Sequence, residues 1–339
     1  MANLMLTTAC NFTCDYCFGK EMIGPGHAQQ TMSWDLFLDI LDWIDRGSIP
    51  ELDVHLMGGE PTLSPLFNDM IGELIRRKRR IVVFSNLCVP MDTTVLADSS
   101  RLGIRWTINV NDPSSYRGRQ IQTLQEHLAL LGSAAVVTLN ITSPSTEFDH
   151  VLSYIEDFGL ARCLKVGVTL PTLDHVNAYV KREDYPGIAV RIMALNDAAG
   201  NKGIEVEFEC GVPYCLFTAE QHKRFGGLRV SHCGSRLDIT PTGNVINCLP
   251  LCRVVAIPYS DFADYRQARE WFRRALMPYA SFGGTSACPT CEHLVQGRCM
   301  ACLAHAMWNL DHIALPPLPQ SGGRATGRTC KAADCGREL

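Results

Sequence analysis

Apolar residues in the first two thirds of the chain follow two alternating patterns. Short, mainly apolar runs of the kind that form buried strands occupy residues 4–8, 52–57, 81–84, 104–110, 135–141 and 164–170. Between these runs, apolar residues recur at spacings of three and four, which predicts amphipathic helices. The clearest helical face consists of Leu36, Phe37, Ile40, Leu41 and Ile44. Strands that alternate with helices of this length predict an α/β fold with a parallel sheet and right-handed crossovers.

The same pattern indicates where helices begin. Thr31 and Ser33 precede the first helix as candidate N-caps, and Ser64-Pro65 would place proline at the first position of a second helix. Further helices are predicted over residues 117–131, 146–158 and 188–199. In such folds the functional loops belong at the carboxyl ends of the strands, so we expect the chemistry at that edge.

After residue 205 the helical periodicity fades. Residues 237–240 and 245–247 flank the turn sequence 241–244 and predict a β-hairpin, and residues 261–276 predict a short helix. Residues 315–323 are rich in proline and glycine, as linkers are. We therefore predict an α/β domain over residues 1–205, a second small domain over residues 206–314 and a tail over residues 315–339.

Composition restricts the partners and the location of the protein. The chain has 339 residues, a formal net charge of −4 and no apolar run as long as a membrane helix, so we expect no nucleic-acid or membrane partner. The basic run at residues 76–80 is typical of a solvated helix end. We expect a cytoplasmic protein, where disulfides are disfavoured. The 16 cysteines then indicate metal or cluster sites.

Three of these cysteines, Cys10, Cys14 and Cys17, lie within eight residues directly after the first predicted strand. Three thiolates on one loop can hold three irons of a cubane cluster and leave the fourth iron open for a ligand. The alternative is a zinc site with a fourth ligand elsewhere, for which His27 is a candidate.

This trio, with the aromatic Tyr16 before the third cysteine, resembles the signature loop of the radical S-adenosylmethionine (SAM) superfamily. Gly58-Gly59-Glu60 follows a predicted strand and resembles the family segment that contacts the amino group of SAM. The resemblance implies a partial (β/α)6 barrel, a 4Fe–4S cluster on the three cysteines, and SAM as cofactor. It also implies an external electron donor of the flavodoxin or ferredoxin type.

The resemblance extends to four further cofactor-binding candidates. Tyr16 would lie near the adenine, and Ser85 would lie near the SAM carboxylate or ribose. Asn109 and Asn140 end two later predicted strands and are candidate SAM ligands. The alternative for these polar strand-end residues is simple loop capping.

Cysteines beyond residue 205 resemble the SPASM extension, which houses two auxiliary 4Fe–4S clusters. The spacing of Cys233, Gly243 and Cys248 fits that pattern, whereas the spacing around Cys299 departs from it. By similarity, one cluster would use Cys215, Cys233, Cys248 and Cys302. The other would use Cys288, Cys291, Cys299 and a tail cysteine, Cys330 or Cys335.

A zinc ribbon formed by Cys288, Cys291, Cys299 and Cys302 is the alternative to the second cluster. The cysteines outside these sets are predicted to be ordinary small apolar residues, namely Cys88, Cys163, Cys210 and Cys252.

The implied reaction is reductive cleavage of SAM to a 5′-deoxyadenosyl radical that abstracts hydrogen from a substrate. We expect a peptide maturase that crosslinks, epimerises or oxidises a residue of a ribosomally made peptide. The alternative is a dehydrogenase, epimerase or decarboxylase of a small metabolite, such as a sugar or amino-acid derivative. No catalytic acid or base can be identified, although Asp238, Glu207 and Glu209 are available.

Overall fold

The computed structural model describes residues 1–318 except 25, 48, 50–51, 174–175, 211, 226–235, 286, 300–301 and 308–314. Cys233, Cys330 and Cys335 lie outside the described residues, so their predicted roles as cluster ligands stay predictions. Within the part described, no helix is both long and apolar enough to cross a bilayer.

Ten strands form one sheet in the order β10-β9-β8-β1-β2-β3-β4-β5-β6-β7. Their bounds are Ala2–Thr7 (β1), Val54–Gly58 (β2), Ile81–Ser85 (β3), Ile104–Asn109 (β4), Ala135–Ile141 (β5), Cys163–Val168 (β6), Glu205–Phe208 (β7), Leu237–Ile239 (β8), Asn244–Ile246 (β9) and Ile257–Pro258 (β10). Strands β1 to β7 are parallel and follow one another in chain order. The predicted α/β class and parallel sheet are therefore confirmed.

Ten helices accompany the strands in the described part of the chain. They are Trp34–Arg46 (α1), Phe67–Arg76 (α2), Thr93–Leu102 (α3), Gln120–Leu131 (α4), Asp149–Asp157 (α5), Tyr185–Asn201 (α6), Ala219–Arg224 (α7), Tyr265–Leu276 (α8), Glu292–Val295 (α9) and Leu303–Met307 (α10). Ser33 caps α1 as predicted, because its side chain accepts a hydrogen bond from the Leu36 amide. Helix α2 begins at Phe67 and not at Ser64-Pro65, since residues 61–63 first form a 3₁₀ turn.

The two faces of the sheet differ in polarity. On one face, fully buried residues such as Leu4, Leu56 and Trp106 join the continuous apolar core beneath the helices. Alternate positions face the other way and include Asn3, Thr138 and other polar residues. A parallel sheet normally buries apolar residues on both faces, so this polar face forms the lumen of a partial barrel.

The predicted hairpin is present and extends the same sheet. β8 and β9 pair antiparallel around Gly243, whose φ of +81° is a conformation that favours glycine. β8 also pairs in parallel with β1, which the sequence did not indicate. Strand β1 therefore lies between β2 and β8, inside the sheet.

Candidate functional site

The loop that follows β1, residues 10–17, carries the three clustered cysteines and is called the cysteine loop below. Its approach to the end of β2 is very close: Gly59 N donates to Thr7 O (2.8 Å) and Glu60 N to Ala9 O (2.8 Å). A Cβ on Gly59 would lie 2.2 Å from the Ala9 carbonyl oxygen, and one on Gly58 would lie 2.3 Å from the Thr7 carbonyl oxygen. Both glycines are needed because the two backbones touch at this point.

Glu60 joins the ends of β2 and β3. Its buried carboxylate accepts hydrogen bonds from Thr62 N (3.2 Å), Thr62 Oγ1 (2.7 Å), Ser85 Oγ (2.8 Å) and Asn86 N (2.8 Å). Burial raises the pKa of Glu60, and these hydrogen bonds oppose that rise by favouring the ionised form. Glu60 and Ser85 therefore bind each other and position the loops of both strands.

A second contact fastens the cysteine loop to β3. Asn86 Nδ2 donates to Asn11 Oδ1 (2.8 Å), and Asn86 Oδ1 accepts from Cys88 N (2.9 Å). Sequence reasoning did not assign a role to either asparagine, although Asn86 stands directly after a predicted strand. Cys88 itself is buried, as predicted for a small apolar residue.

Tyr16 meets the ends of β4 and β5 in a network of side-chain amides. Its hydroxyl hydrogen-bonds Asn111 Oδ1 and accepts from Asn109 Nδ2 (2.9 Å). Asn109 Oδ1 in turn accepts from Asn140 Nδ2 (2.6 Å). Burial raises the pKa of Tyr16, so the hydroxyl stays protonated. We call Tyr16, Asn109, Asn111 and Asn140 the amide network.

Asn111 connects this network to the cysteines. Its Nδ2 lies 3.7 Å from Cys14 Sγ, and its backbone N–H donates to the Tyr116 hydroxyl (2.9 Å). Asn111 had no predicted role. The sequence feature that could have indicated a role for Asn111 is its position just beyond the end of β4, two residues after Asn109.

A cavity of about 930 Å³ opens between the cysteine loop and the loops after β4 and β5. Its lining includes Cys14, Tyr16, Asn111 and Asn140. The cysteine loop and the amide network, which are far apart in sequence, thus share one cavity at the carboxyl edge of the sheet. This is the edge at which an α/β sheet of this type binds its ligands.

The thiols of the cysteine loop suit a cluster. All three are free and half-buried. Burial raises their pKa values, that of Cys10 to about 12, so they are neutral unless a metal displaces the proton. In the described residues no three Cys, His, Asp or Glu side chains converge on a single metal ion. A 4Fe–4S cluster binds each thiolate to a different iron and does not require that convergence.

His27, the candidate ligand of the zinc alternative, is exposed. Its Nε2 lies 3.0 Å from the Lys20 carbonyl oxygen.

The C-terminal cysteines differ in exposure where they are described. Cys215 is exposed, and the half-buried set comprises Cys248, Cys252, Cys288, Cys291, Cys299 and Cys302. Tyr214 N lies 3.5 Å from Cys299 Sγ, which brings Cys215 and Cys299 into one neighbourhood. Cys252 Sγ lies 3.8 Å from Glu21 Oε2, and burial raises the pKa of this thiol to about 12.

Asp238, which is buried, and Glu209, which is partly buried, face the lumen. Asp238 Oδ1 accepts from Asn3 Nδ2 (2.6 Å) across β8 and β1, and burial raises its pKa to about 7. Glu209 Oε1 accepts from Thr138 Oγ1 (3.2 Å) and lies 3.9 Å from Lys165 Nζ. Thr138 is two residues before Asn140 on β5, so Glu209 lies one strand pleat below the amide network. Glu207, by contrast, is exposed on β7.

Comparisons with known proteins agree with this arrangement. Residues 4–206 match the radical SAM superfamily, which is more than half of the 339 residues. A segment of 103 residues is 34% identical to the tungsten-containing aldehyde ferredoxin oxidoreductase cofactor-modifying protein of Pyrococcus furiosus. The match covers 30% of this chain and 27% of that relative.

Solved structures share the fold. SuiB of Streptococcus suis bound to S-adenosylmethionine superposes with a TM-score of 0.59 at 14% identity, over 86% of this chain and 70% of that chain. SuiB bound to precursor peptide SuiA has a TM-score of 0.54 at 14% identity, over 74% and 59% of the two chains. For anSMEcpe with bound AdoMet, the TM-score is 0.54 at 16% identity, over 73% of this chain and 71% of that chain. At these identities the likeness extends to the fold alone.

Proposed function

Because this chain belongs to the radical SAM superfamily, we propose that it cleaves SAM reductively and matures a ribosomally made peptide by crosslinking, epimerisation or residue oxidation. The observation that carries the proposal is the shared cavity at the end of β1. There the cysteine loop, with three free thiols, borders the amide network.

Each part of the cavity has a role in this proposal. Cys10, Cys14 and Cys17 would hold the cluster, and the amide network would orient SAM beside it. When bound, the reduced cluster supplies the electron that splits SAM into methionine and a 5′-deoxyadenosyl radical, which takes hydrogen from the substrate. The Gly58–Glu60 segment would meet the SAM ammonium, while Glu60 and Ser85 hold that segment in place through their own hydrogen bond. A flavodoxin- or ferredoxin-type donor would supply the electron.

The region after residue 205 is proposed to be a SPASM-type domain with two auxiliary 4Fe–4S clusters. Its support is the number of cysteines it contributes and the spacing of Cys233, Gly243 and Cys248. The alternative is a zinc ribbon formed by Cys288, Cys291, Cys299 and Cys302.

Two observations favour a peptide substrate. The cavity is large, at about 930 Å³, and reaches the surface between the loops after β4 and β5. The fold is shared with SuiB, whose structure was determined with precursor peptide SuiA. The charged residues that line the described cavity are Asp15, Asp112, Glu147 and Arg117. Acidic side chains outnumber basic ones there, in keeping with a neutral or cationic substrate.

A small-molecule substrate is the second candidate. It is favoured by the 34% identity, over 103 residues, to a protein named for modifying a cofactor. In that case the reaction would be a dehydrogenation, epimerisation or decarboxylation of a metabolite.

The test is to incubate anaerobically reconstituted protein with SAM and a reductant in deuterated water. Candidate precursor peptides and, separately, sugar- and amino-acid-derived metabolites are supplied as substrates. We expect the true substrate to raise 5′-deoxyadenosine formation. The product should lose two hydrogens, or invert a centre and gain solvent deuterium, by mass spectrometry.

The control is the variant Cys10→Ala/Cys14→Ala/Cys17→Ala, which should form no 5′-deoxyadenosine yet retain absorbance from auxiliary clusters. A product heavier by one CH₂ unit would indicate methyl transfer and contradict both candidate functions.

A further inference from the structure

The C-terminal cysteines can be grouped by which of them the fold brings together. The family pattern assigns Cys215 to one auxiliary cluster and Cys288, Cys291 and Cys299 to the other. The contacts of the described residues favour a different division. Cys215 lies in the 3₁₀ turn Tyr214–Leu216 directly after the barrel, and this turn packs against the segment that carries the other three.

Cys288, Cys291 and Cys299 belong to one compact segment around α9. Cys291 N donates to Cys288 O (2.9 Å), and Cys299 N donates to His293 O (2.9 Å). Gly283 lies against the first of these cysteines: a Cβ there would be 2.1 Å from Cys288 Cβ. These contacts hold the three cysteines in one short segment around α9.

The turn that carries Cys215 is fastened to this segment at two points. Tyr214 N approaches Cys299 Sγ at 3.5 Å, and the Tyr214 ring lies 4.4 Å from the His293 ring, centroid to centroid. The Tyr214 ring also stacks on the His222 ring at a centroid distance of 3.8 Å, so the tyrosine contacts two histidine rings. Cys215 directly follows Tyr214 in the same 3₁₀ turn, so these contacts also bring Cys215 close to the segment that carries Cys299.

A cation stands beside the same group. Arg182 Nη1 lies 3.5 Å from Thr285 Oγ1, and Thr285 Oγ1 lies 3.2 Å from Cys288 Sγ. A guanidinium beside four thiolates would offset the negative charge of a bound cluster.

We propose that Cys215, Cys288, Cys291 and Cys299 bind one auxiliary iron–sulfur cluster, with Arg182 beside it, and that Cys215 is not a ligand of the cluster that contains Cys248. The inference rests on the proposal that the C-terminal cysteines hold iron–sulfur clusters. It changes which cysteines share a cluster and removes the need for a tail cysteine in this set.

Pairs of substitutions test the grouping in the full chain. The background is Cys10→Ala/Cys14→Ala/Cys17→Ala, so that only auxiliary clusters bind. We expect about eight irons per chain after anaerobic reconstitution, four from each cluster. Adding Cys215→Ala/Cys299→Ala should remove about four irons and leave one electron paramagnetic resonance (EPR) signal unchanged, because both lost ligands serve one cluster. Adding Cys215→Ala/Cys248→Ala should alter both signals.

The reverse result would overturn the grouping: loss of one cluster by the Cys215/Cys248 pair, with both signals altered by the Cys215/Cys299 pair. A background variant without iron would overturn the auxiliary clusters themselves, which separates that failure from a wrong grouping. Cys163→Ala, on β6, is the control and should change neither iron nor signals.

Arg182→Gln provides a test that keeps every thiol. Removing the positive charge should make the reduction potential of one cluster more negative, and that cluster should be the one lost in the Cys215/Cys299 pair. Arg182→Lys should restore the potential in part. An unchanged potential, or a shift confined to the other cluster, would contradict the placement of Arg182.

Discussion

At the scale of single residues, Glu60 is held entirely by protein donors. Two hydroxyls and two backbone N–H groups approach its oxygens. A carboxylate with these four hydrogen bonds orders the loops around it. The ends of β2 and β3 therefore depend on Glu60 for their relative position.

We expect Glu60→Gln to destabilise the protein by about 1–3 kcal/mol, since the new amide N–H₂ cannot accept from donors that the carboxylate oxygen satisfied. Urea unfolding under anaerobic conditions would measure this. Glu207→Gln is the matched control, because Glu207 is exposed on β7. Equal effects of the two substitutions would show that the buried hydrogen bonds of Glu60 contribute nothing to the stability of the protein.

The amide network predicts coupled effects on SAM affinity. Tyr16→Phe removes the hydroxyl shared by Asn109 and Asn111, and Asn111→Ala removes one of its partners. Each substitution should weaken SAM binding by about fivefold, the equivalent of one hydrogen bond. Measured by calorimetry, the double variant should bind SAM more weakly than either single variant. Its loss of affinity should nevertheless be smaller than the product of the two single losses. Additive losses would mean that the two residues act separately.

At the scale of elements, the contact between the cysteine loop and the end of β2 allows no side chain at Gly59. We expect Gly59→Ala to lower cluster occupancy and stability, because the obstructing atom is the Ala9 backbone carbonyl and not a flexible side chain. Gly72→Ala, in the exposed middle of α2 with nothing within 4 Å, should instead stabilise by about 0.5–1 kcal/mol. Iron content and thermal unfolding distinguish the two. Normal iron content in Gly59→Ala would refute the close approach.

The junction of β8 and β1 predicts a pH dependence. The pKa of Asp238 is about 7 in the fold, above the ordinary value of about 3.9. Between these values the unfolded chain is ionised at this position while the folded chain keeps its proton, so Asp238 reduces stability as pH rises. The stability of Asp238→Asn relative to the wild type should increase by about 1.4 kcal/mol per pH unit from pH 5 to 7 and then level off. Urea unfolding at pH 5, 6, 7 and 8 would measure the difference, and a flat difference would contradict burial of the ionisable carboxyl.

Strong local patterns explain which elements the sequence could predict. The parallel strands β1 to β6 are apolar, and the hairpin has a glycine at its tip. Helix α3 was missed because it buries only Leu96 and Ser99, which leaves little periodicity. Strand β7 was missed because it alternates Glu205 and Glu207 with partly buried residues at the edge of the sheet.

The long-range contacts at the site could not be predicted from a single sequence. The cysteines of the loop could be proposed from their spacing. Gly58-Gly59-Glu60, Ser85, Asn109 and Asn140 could be proposed from the resemblance to the radical SAM superfamily. The positioning role of Glu60 toward Ser85, and the link from Asn111 to Cys14, depend on neighbouring strands being in register. That register is a property of the assembled sheet.

At the scale of the whole molecule, the thiol count predicts the metal content. Three groups of thiols imply about a dozen irons per chain after anaerobic reconstitution. Elemental analysis would measure iron and zinc together. About four irons with one zinc per chain would favour the zinc ribbon and contradict two auxiliary clusters.

The position of β1 inside the sheet also determines when its two edges can pair during synthesis. Asn3 pairs with Asp238, so the outer edge of β1 stays open until more than two hundred further residues have left the ribosome. Until then the strand that leads into the cysteine loop is an unpaired edge, able to join a strand of another chain. The contact between β1 and β8 has a very high sequence separation, and contacts of this kind are slow to form. A nascent chain paused before β8 is the form most exposed to aggregation, and slower translation across residues 206–240 would prolong that exposure.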